Sequence, residues 1–224
     1  MNKYPLGRII ILLITFTLIY GIGLTPSIAF QFFITTPLRW SFLLTAISLL
    51  VNFLILIISE LLISCFFIRL LNLNSSEGKC EVGLHDNKFF KFTLFQTLYN
   101  PVHMLLYFMH VYKLKELQLR LLGAKIGKNV SLGGRINDPS LFEVGDNTVI
   151  AGMCEVLTHS AEKGILIFKK VKIGNNCTLG QNSIILPGAI MEDNSVVGSM
   201  SLVPKNKKIP KGQVWGGVPA RKIK

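Results

Sequence analysis

The sequence predicts a membrane α-helical hairpin followed by an all-β domain, a parallel β-helix built from six-residue repeats. Two observations lead to this prediction: long apolar segments near the N-terminus, and aliphatic side chains at every sixth position near the C-terminus. Only 16% of the 224 residues are charged, compared with about 25% in an average soluble domain. The composition therefore favours a protein that is associated with a membrane.

The apolar segments predict two transmembrane helices within residues 1–74. Residues 6–34 contain a single charged side chain, and residues 41–73 contain two, Glu60 and Arg69. Each segment exceeds the roughly 20 residues that cross a bilayer as a helix. Because the first segment is long and is followed closely by the second, it does not fit a cleavable signal peptide.

The distribution of basic residues predicts the orientation of this hairpin. The outer ends of the two segments carry Lys3, Arg8, Arg69 and Lys79. The tight turn expected at residues 36–39 contains only Arg39. Basic residues favour the cytoplasmic side of a membrane. We therefore expect a multi-pass protein of the cytoplasmic membrane, with both termini and the β-helix in the cytoplasm.

Two polar side chains inside the second segment need an explanation. Asn52 is expected to form a hydrogen bond with the first helix, as polar side chains between membrane helices commonly do. For Glu60 two interpretations remain open: an ionisable group with a function inside the membrane, or a side chain at the level of the cytoplasmic headgroups.

Residues 75–125 are predicted to form a linker and an amphipathic helix rich in aromatic and basic side chains. Pro101 is expected to open this helix, because proline is favoured in a first helical turn. Such a helix lies in the membrane interface, or it caps the first coil of the solenoid, whose open end exposes backbone groups. The sequence allows both. His103 and His110 are expected to be packed or interfacial rather than catalytic.

The six-residue spacing predicts the β-helix. A helix needs a period near 3.6 residues and a strand a period of 2, so a period of six fits neither. It fits a coil with three short sides, in which each repeat supplies one side and points its aliphatic side chain inward. Small residues two positions earlier, such as Cys177 and Ser183, fit the bends. The in-phase residues are Ile173, Leu179, Ile185, Met191, Val197, Val203 and Ile209.

The same phase extends the predicted solenoid to residues 126–214. Asp138 interrupts the phase once, and residues 157–172 break it completely. We expect this second stretch to leave the coil as a loop carrying His159, the one histidine of the repeat region. The upstream residues in phase are Ile126, Leu132, Val144, Ile150 and Val156.

Charge and cysteine usage narrow the possible partners. The formal net charge is +12, and the tail at residues 215–224 is basic, with Trp215 expected to cap the last coil. Anionic lipid headgroups or a phosphate-bearing cosubstrate explain this charge better than nucleic acid, for which no motif is present. The four cysteines lack CxxC spacing, so we expect reduced, buried thiols and no metal site.

Several short stretches resemble hexapeptide-repeat acyltransferases, over roughly residue 119 to the end. The matching sequence motifs are Ile173-Gly-Asn-Asn, Ile185-Leu-Pro-Gly and the tail Gly216-Gly-Val-Pro-Ala-Arg-Lys-Ile. The last part is also similar to the C-terminal domains of membrane-bound, peptide-synthetase-like proteins. The resemblance implies a left-handed parallel β-helix, a homotrimer, and acetyl-CoA as cosubstrate.

The resemblance also implies roles for individual residues. His159 matches the catalytic histidine of the family, and an imidazole near neutrality can take the proton of an attacking hydroxyl or amine. The basic side chains among the implied CoA contacts can pair with its phosphates. Met200 and Pro204 depart from the residues usual in the family. The residues matching CoA contacts are Gln181, Ser199, Pro204, Lys205, Arg221 and Lys224.

Four further residues are weaker candidates. Glu155 and Glu162 flank His159 in the sequence and are expected to orient it, while Asn137 and Asp138 are expected to line the acceptor site. Together these features predict a membrane-anchored enzyme that moves an acetyl or other short acyl group from acyl-CoA to a hydroxyl or amine. The membrane anchor points to a membrane-associated acceptor, such as a lipid-linked sugar or a polysaccharide precursor.

Two alternative functions remain open at this stage. One is an amide-forming module that acts on a carrier-bound aminoacyl group, and the other is a non-catalytic trimeric membrane scaffold. A β-helical carbonic anhydrase needs three zinc-binding histidines at one interface. The repeat region offers only His159, so this class is excluded.

Overall fold

The structure, a computed structural model, describes residues 5–35 and 42–224. Four helices precede a parallel β-helix, and this order confirms the predicted fold class. The expected turn at residues 36–39 and the flanking Lys3 lie outside the described residues. The helices and the first strand are α1 (Leu6–Thr35), α2 (Phe42–Leu70), β1 (Gly78–Glu81), α3 (Asn87–Phe108) and α4 (Tyr112–Leu121).

Helices α1 and α2 pack against each other as a hairpin, and both are long and apolar enough to cross a membrane. The predicted bond of Asn52 is confirmed: its Oδ1 accepts from Ser27 Oγ at 2.6 Å and its Nδ2 donates to Gln31 Oε1 at 3.2 Å. Glu60 is buried, and its carboxyl group packs directly on Gly23, where any Cβ would overlap it.

Helix α3 begins earlier than the sequence suggested. The side chain of Asp86 caps it by accepting hydrogen bonds from the backbone N–H groups of Lys88 and Phe89. The expectation that Pro101 opens the helix is wrong, because Pro101 lies well inside α3. An aspartate N-cap is a strong start signal, and burial of Leu98 and Val102 on either side of the proline holds the helix together through it.

The strands that follow make three faces of a coil, and each face is a parallel sheet. The first face contains β2 (Lys125–Ile126), β5 (Phe142–Val144), β10 (Val171–Ile173), β13 (Ile190–Met191) and β16 (Lys208–Ile209). The second contains β3 (Ser131–Leu132), β6 (Val149–Ile150), β11 (Thr178–Leu179), β14 (Val196–Val197) and β17 (Val214–Gly216). The third contains β4 (Arg135–Ile136), β7 (Glu155–Val156), β12 (Ile184–Ile185) and β15 (Leu202–Val203).

The register of these sheets explains the six-residue period. Leu179 lies beside Val197, 18 positions later, so one coil is three repeats. The in-phase side chains from Ile173 to Ile209 are all buried in one apolar column. Trp215 continues the register beside Val197, and β18 (Arg221–Lys222) folds back antiparallel on β17 to cover the last coil.

The first coil departs from the predicted phase. Ile136, rather than the residue at position 138, fills the third side, and it lies beside Val156 of the next coil. Gly133 and Gly134 shorten the preceding corner, and a Cβ at Gly134 would lie 2.6 Å from Cys154 O. The extra length is taken up before β5 by a short 3₁₀ helix, Pro139–Leu141. Asp138 is thereby freed from the column.

The stretch at residues 157–172 is not an irregular loop but a β-hairpin. It consists of β8 (His159–Glu162) and β9 (Ile165–Phe168), and β1 adds a third antiparallel strand to β9. Leu166 and Phe168 alternate with less buried neighbours and form a small core with Cys80 and Leu141. Part of the predicted linker therefore belongs to this sheet.

Helices α3 and α4 cap the open edge of the first coil, which is one of the two roles that the sequence allowed. Tyr99 Oη donates to Ile136 O at 2.6 Å, and Lys115 Nζ donates to Gly134 O at 2.8 Å. Arg120 binds the carbonyl oxygens of Ile126 and Gly127 through its two terminal nitrogens. Carbonyls left unpaired at a sheet edge are thus satisfied by side chains of the two helices.

The buried cap at Lys115 predicts a pH dependence of stability. Burial lowers the pKa of Lys115 to about 8, below the value of about 10.4 in an unfolded chain. Between these values the unfolded chain binds more protons, so the contribution of Lys115 to stability rises with pH. We expect the melting temperature of the wild type, minus that of Lys115→Met, to increase from pH 7 to pH 10 in detergent micelles.

The exposed Lys113 on the same helix gives the matched control, since its side chain is 92% exposed. The difference between the wild type and Lys113→Met should not change over the same pH range. A difference for Lys115→Met that is equally independent of pH would contradict the burial of the charged cap.

Candidate active site

The site is organised around a hydrogen-bonded pair of side chains, His159 and Asp138. His159 begins β8, where the chain leaves the third face of the coil, and its Nδ1 lies 2.6 Å from Asp138 Oδ2. Because an ionised carboxylate can only accept, Nδ1 carries the proton of this bond and the neutral ring keeps Nε2 as an acceptor. The His159 side chain is 20% exposed, whereas that of Asp138 is completely buried.

Asp138 receives three hydrogen bonds besides the one from His159. Thr158 Oγ1 donates to its Oδ2 at 2.7 Å, and Ser75 Oγ donates to its Oδ1 at 3.2 Å. Gln96 Nε2 of α3 lies 3.4 Å from the same Oδ1. Four donors around one buried carboxyl group satisfy its two oxygens. The arrangement therefore fixes the Asp138 side chain against the imidazole ring.

The free side of the His159 ring faces a cavity between α3 and the third face of the coil. The cavity has a volume of about 370 Å³. The ring of Phe92 stands edge-on to His159, with centroids 4.8 Å apart, and Phe168 lies behind at 6.0 Å. These two rings restrict the imidazole. The cavity is lined by Gln96, Asn100, His103, Met104, Arg135, Ile136, Asn137 and His159.

His103 lines this cavity, but its position is that of a packing residue. It is completely buried and stacks on Tyr99, and its Nδ1 lies 3.1 Å from Gln118 Oε1. Burial lowers the pKa of His103 to about 3, so the ring remains neutral at physiological pH. The prediction that His103 is packed is confirmed. His110 lies just beyond α3 and contacts Phe108 O.

The structure corrects the partner that the sequence suggested for His159. Glu155 forms an ion pair with Arg135, its neighbour on the third face, and Glu162 forms an ion pair with Lys205. Neither glutamate contacts His159. Asp138 orients the ring instead. The chain leaves the third face of the first coil at Asp138, directly beneath the point where it leaves the next coil at His159. Asn137 lines the His159 cavity.

The residues that match CoA contacts are spread over two corners and the tail. Gln181 and Ser199 lie at the corner that leads from the second face to the third, where Met200 N donates to Gln181 O at 2.8 Å. Pro204 and Lys205 lie at the next corner, beside the hairpin. Arg221 and Lys224 are exposed in the tail. The third face separates the two corners.

Three cavities follow one face of α3 and form what we call the α3 groove. The first, of about 440 Å³, is lined by Lys88, Lys91 and Phe92 of the helix. The second is the His159 cavity, which shares Met104 and Arg135 with a third cavity of about 370 Å³ near Met153. From residue 88 to residue 108 the helix rises about 30 Å, so the groove suits an extended ligand or two ligands meeting at His159.

Comparison with known proteins places this chain in a family. The profile described as bacterial transferase hexapeptide (six repeats) matches residues 170–205. Protein CapG of Staphylococcus aureus is 35% identical in an alignment of 126 positions. The alignment covers 50% of this chain and 71% of CapG. The chain belongs to the hexapeptide-repeat transferase family.

Other relatives match over shorter shares of their length. Galactoside O-acetyltransferase of Escherichia coli K12 is 33% identical over 113 residues, 44% of this chain and 55% of the relative. Delta-poly-L-ornithine synthetase of Acinetobacter baumannii is 32% identical over 102 residues, 45% of this chain and 8% of the relative. The chain thus spans about half of one of these proteins and a small part of the other.

The His, Cys, Asp and Glu side chains of the described residues show how metal ligands could be arranged. Within residues 5–35 and 42–224, no group of three or more His, Cys, Asp or Glu side chains is arranged to hold a metal ion. Cys65, Cys80, Cys154 and Cys177 are all free and buried.

The bond to Asp138 predicts the tautomer of His159. With histidine labelled by ¹⁵N and the ring neutral, we expect Nδ1 of His159 to be protonated and Nε2 to show the shift of an unprotonated nitrogen. His85 gives an internal contrast, because its Nε2 lies 3.1 Å from Glu81 Oε2 and should carry the proton. A protonated Nε2 on neutral His159 would contradict the geometry of the site.

Proposed function

We propose that this hexapeptide-repeat protein is an acyltransferase that uses acetyl-CoA, with His159 as its general base. The observation that carries the proposal is the Asp138–His159 pair, which leaves one imidazole nitrogen free to face a cavity of about 370 Å³. The similarity to galactoside O-acetyltransferase supports the acetyl group. Another short acyl group fits the same chemistry.

The chemistry follows from the position of the free nitrogen. Nε2 of His159 takes the proton of an acceptor hydroxyl or amine while the acceptor atom attacks the thioester carbonyl carbon. The C–S bond then breaks, and the proton passes from the imidazolium to the departing thiolate of CoA. The Asp138 carboxylate holds the ring in the required tautomer and stabilises the imidazolium between these two steps.

The donor is proposed to approach along the third face of the coil. Gln181 and Ser199 would contact the pantetheine arm at one corner, while Pro204 borders the channel. Lys205, Arg221 and Lys224 would pair with the phosphates of CoA through charge-assisted hydrogen bonds. Acetyl-CoA is the proposed cosubstrate. We propose that the donor cleft is completed by a neighbouring subunit of a homotrimer.

The position of α3 supports an acceptor that resides at the membrane. Tyr20 Oη of α1 donates to Leu98 O of α3 at 3.0 Å, and the next residue, Tyr99, bonds the first coil. One helix, α3, therefore lies between the apolar hairpin and the His159 cavity. The axes of packed helices are about 8–10 Å apart. We propose a cytoplasmic site that acts on a lipid-linked sugar or a polysaccharide precursor, with membrane lipids in contact with the hairpin.

A second candidate function has specific support in the similarity to delta-poly-L-ornithine synthetase. In that case the chain would form an amide from a carrier-bound aminoacyl group, and a partner protein would supply the activated group. His159 would act on an amine in the same way. The two candidates differ in the donor, so binding of CoA separates them.

The general-base role predicts a large loss of activity in His159→Gln. With detergent-solubilised protein, acetyl-CoA and extracted membrane lipids, acceptor-dependent release of free thiol should fall by about 10²-fold or more, because the proton acceptor is lost. The control is His110→Asn, which keeps a residue that tolerates the positive φ of 56° found there. Its activity should equal that of the wild type.

Full activity of His159→Gln would contradict the mechanism. Calorimetric titration of the wild type with CoA tests the donor separately. We expect heat of binding and competition with acetyl-CoA. Absence of both, together with an active enzyme, would favour the carrier-bound donor of the second candidate.

A further inference from the structure

The first cavity of the α3 groove lies where the apolar surface of the hairpin ends. Exposed apolar side chains continue along α2 as far as Leu70 and Leu71, which are 62% and 44% exposed. The lining of the cavity begins at the next residue, Asn72. If lipid covers the hairpin, this cavity of about 440 Å³ opens at the polar boundary of the bilayer. We call it the lysine pocket, after Lys88 and Lys91.

The lysine pocket carries positive charge that the surrounding carboxylates do not neutralise. The Lys91 side chain is exposed and has no ion-pair partner within residues 5–35 and 42–224. Lys88 Nζ donates to Glu77 O at 3.3 Å and lies over the face of the Phe168 ring at 5.3 Å, and no carboxylate pairs with it in the described part of the chain. The nearby Asp86 is occupied in capping α3. Both ammonium groups are therefore available to an anion.

Polar groups on the opposite wall fit the same kind of ligand. Residues 72–76 supply two asparagines and two serines to the lining. Asn74 Oδ1 is buried without a hydrogen-bond partner in the described part of the chain, and because this oxygen can only accept, it suits a hydroxyl or amine of a ligand. The amide N–H groups of Asn74 and the hydroxyl of Ser76, beside two lysines, can donate to phosphate oxygens.

The lysine pocket shares its inner wall with the catalytic pair. Ser75 lines the pocket and also donates to Asp138 Oδ1 at 3.2 Å. Phe92 lines the pocket and contacts the ring of His159. Along α3, the distance from Lys91 to Gln96 in the His159 cavity is about 7–8 Å of helical rise. A ligand held in the pocket therefore reaches the catalytic nitrogen within a short span.

We propose that the lysine pocket binds the phosphate of a lipid-linked acceptor, with the lipid chain along the hairpin and the acceptor hydroxyl or amine at His159. This proposal rests on the acyltransferase function proposed above and specifies its acceptor as a lipid phosphate or diphosphate. The short span also places the acylated position close to the phosphate, rather than at the far end of a long glycan.

Binding of dodecyl phosphate to the full-length protein in dodecyl maltoside micelles tests the proposal by calorimetry, without any need for turnover. We expect the wild type to bind it, and Lys88→Gln/Lys91→Gln to bind at least about tenfold more weakly, because charged hydrogen bonds are lost. Lys113→Gln, an exposed lysine outside the groove, should bind like the wild type. Lys88→Arg/Lys91→Arg keeps both charges and should bind within a few-fold.

Two results would overturn the proposal. The first is equal binding by the wild type and the folded Lys88→Gln/Lys91→Gln variant, as judged by an unchanged melting temperature. The second is binding of inorganic phosphate as tightly as dodecyl phosphate, which would remove the lipid from the assignment. Either result with intact acetyl transfer would leave the proposed function standing, whereas binding without any acetyl transfer would contradict that function alone.

Discussion

The hydrogen bond between Asp138 and His159 joins segments that are far apart in the chain. Asp138 comes from the end of the first coil, His159 from the start of the hairpin, and Ser75 and Gln96 add bonds from the helical part. A carboxylate that is completely buried is costly unless donors surround it. The buried Asp138 carboxyl group therefore needs hydrogen-bond donors from several segments. These hydrogen bonds in turn hold the segments together at the site.

Helix α3 connects this site to the rest of the molecule. One side of the helix bonds α1 through Leu98, and the other bonds the first coil through Tyr99. Its exposed turns line the α3 groove, so the same element caps the solenoid, carries the hairpin and shapes the cavity in front of His159. A rigid element in this position fixes the His159 ring relative to α1 and α2, which a flexible linker does not do.

The parts of the fold that follow from local pattern were predictable from the sequence. The buried column from Ile173 to Ile209 repeats a fixed period, and the two long apolar helices follow from length and composition. The parts that depend on distant contacts were not predictable. Pairing of β1 with β9 joins strands more than eighty residues apart, and Ile136 enters the column only because two glycines tighten one corner.

The Asp138–His159 pair shows the same division between local pattern and distant contacts. His159 was accessible from the break in the repeat and the resemblance to the family, but its partner was not. Glu155 and Glu162 are nearer in the sequence, yet strand geometry directs them to Arg135 and Lys205. Asp138 reaches the His159 ring because the chain leaves two successive coils at the same corner, one above the other. Such a contact has no local signal, although the interruption of the phase at Asp138 marked the position as unusual.

A double-mutant cycle on acceptor-dependent CoA release measures the coupling between Asp138 and His159 most directly. The account predicts that Asp138→Asn lowers the rate strongly in the wild-type background and hardly at all in a His159→Gln background, because Asp138 acts through the imidazole. The same fold loss from Asp138→Asn in both backgrounds, with all variants folded, would contradict it.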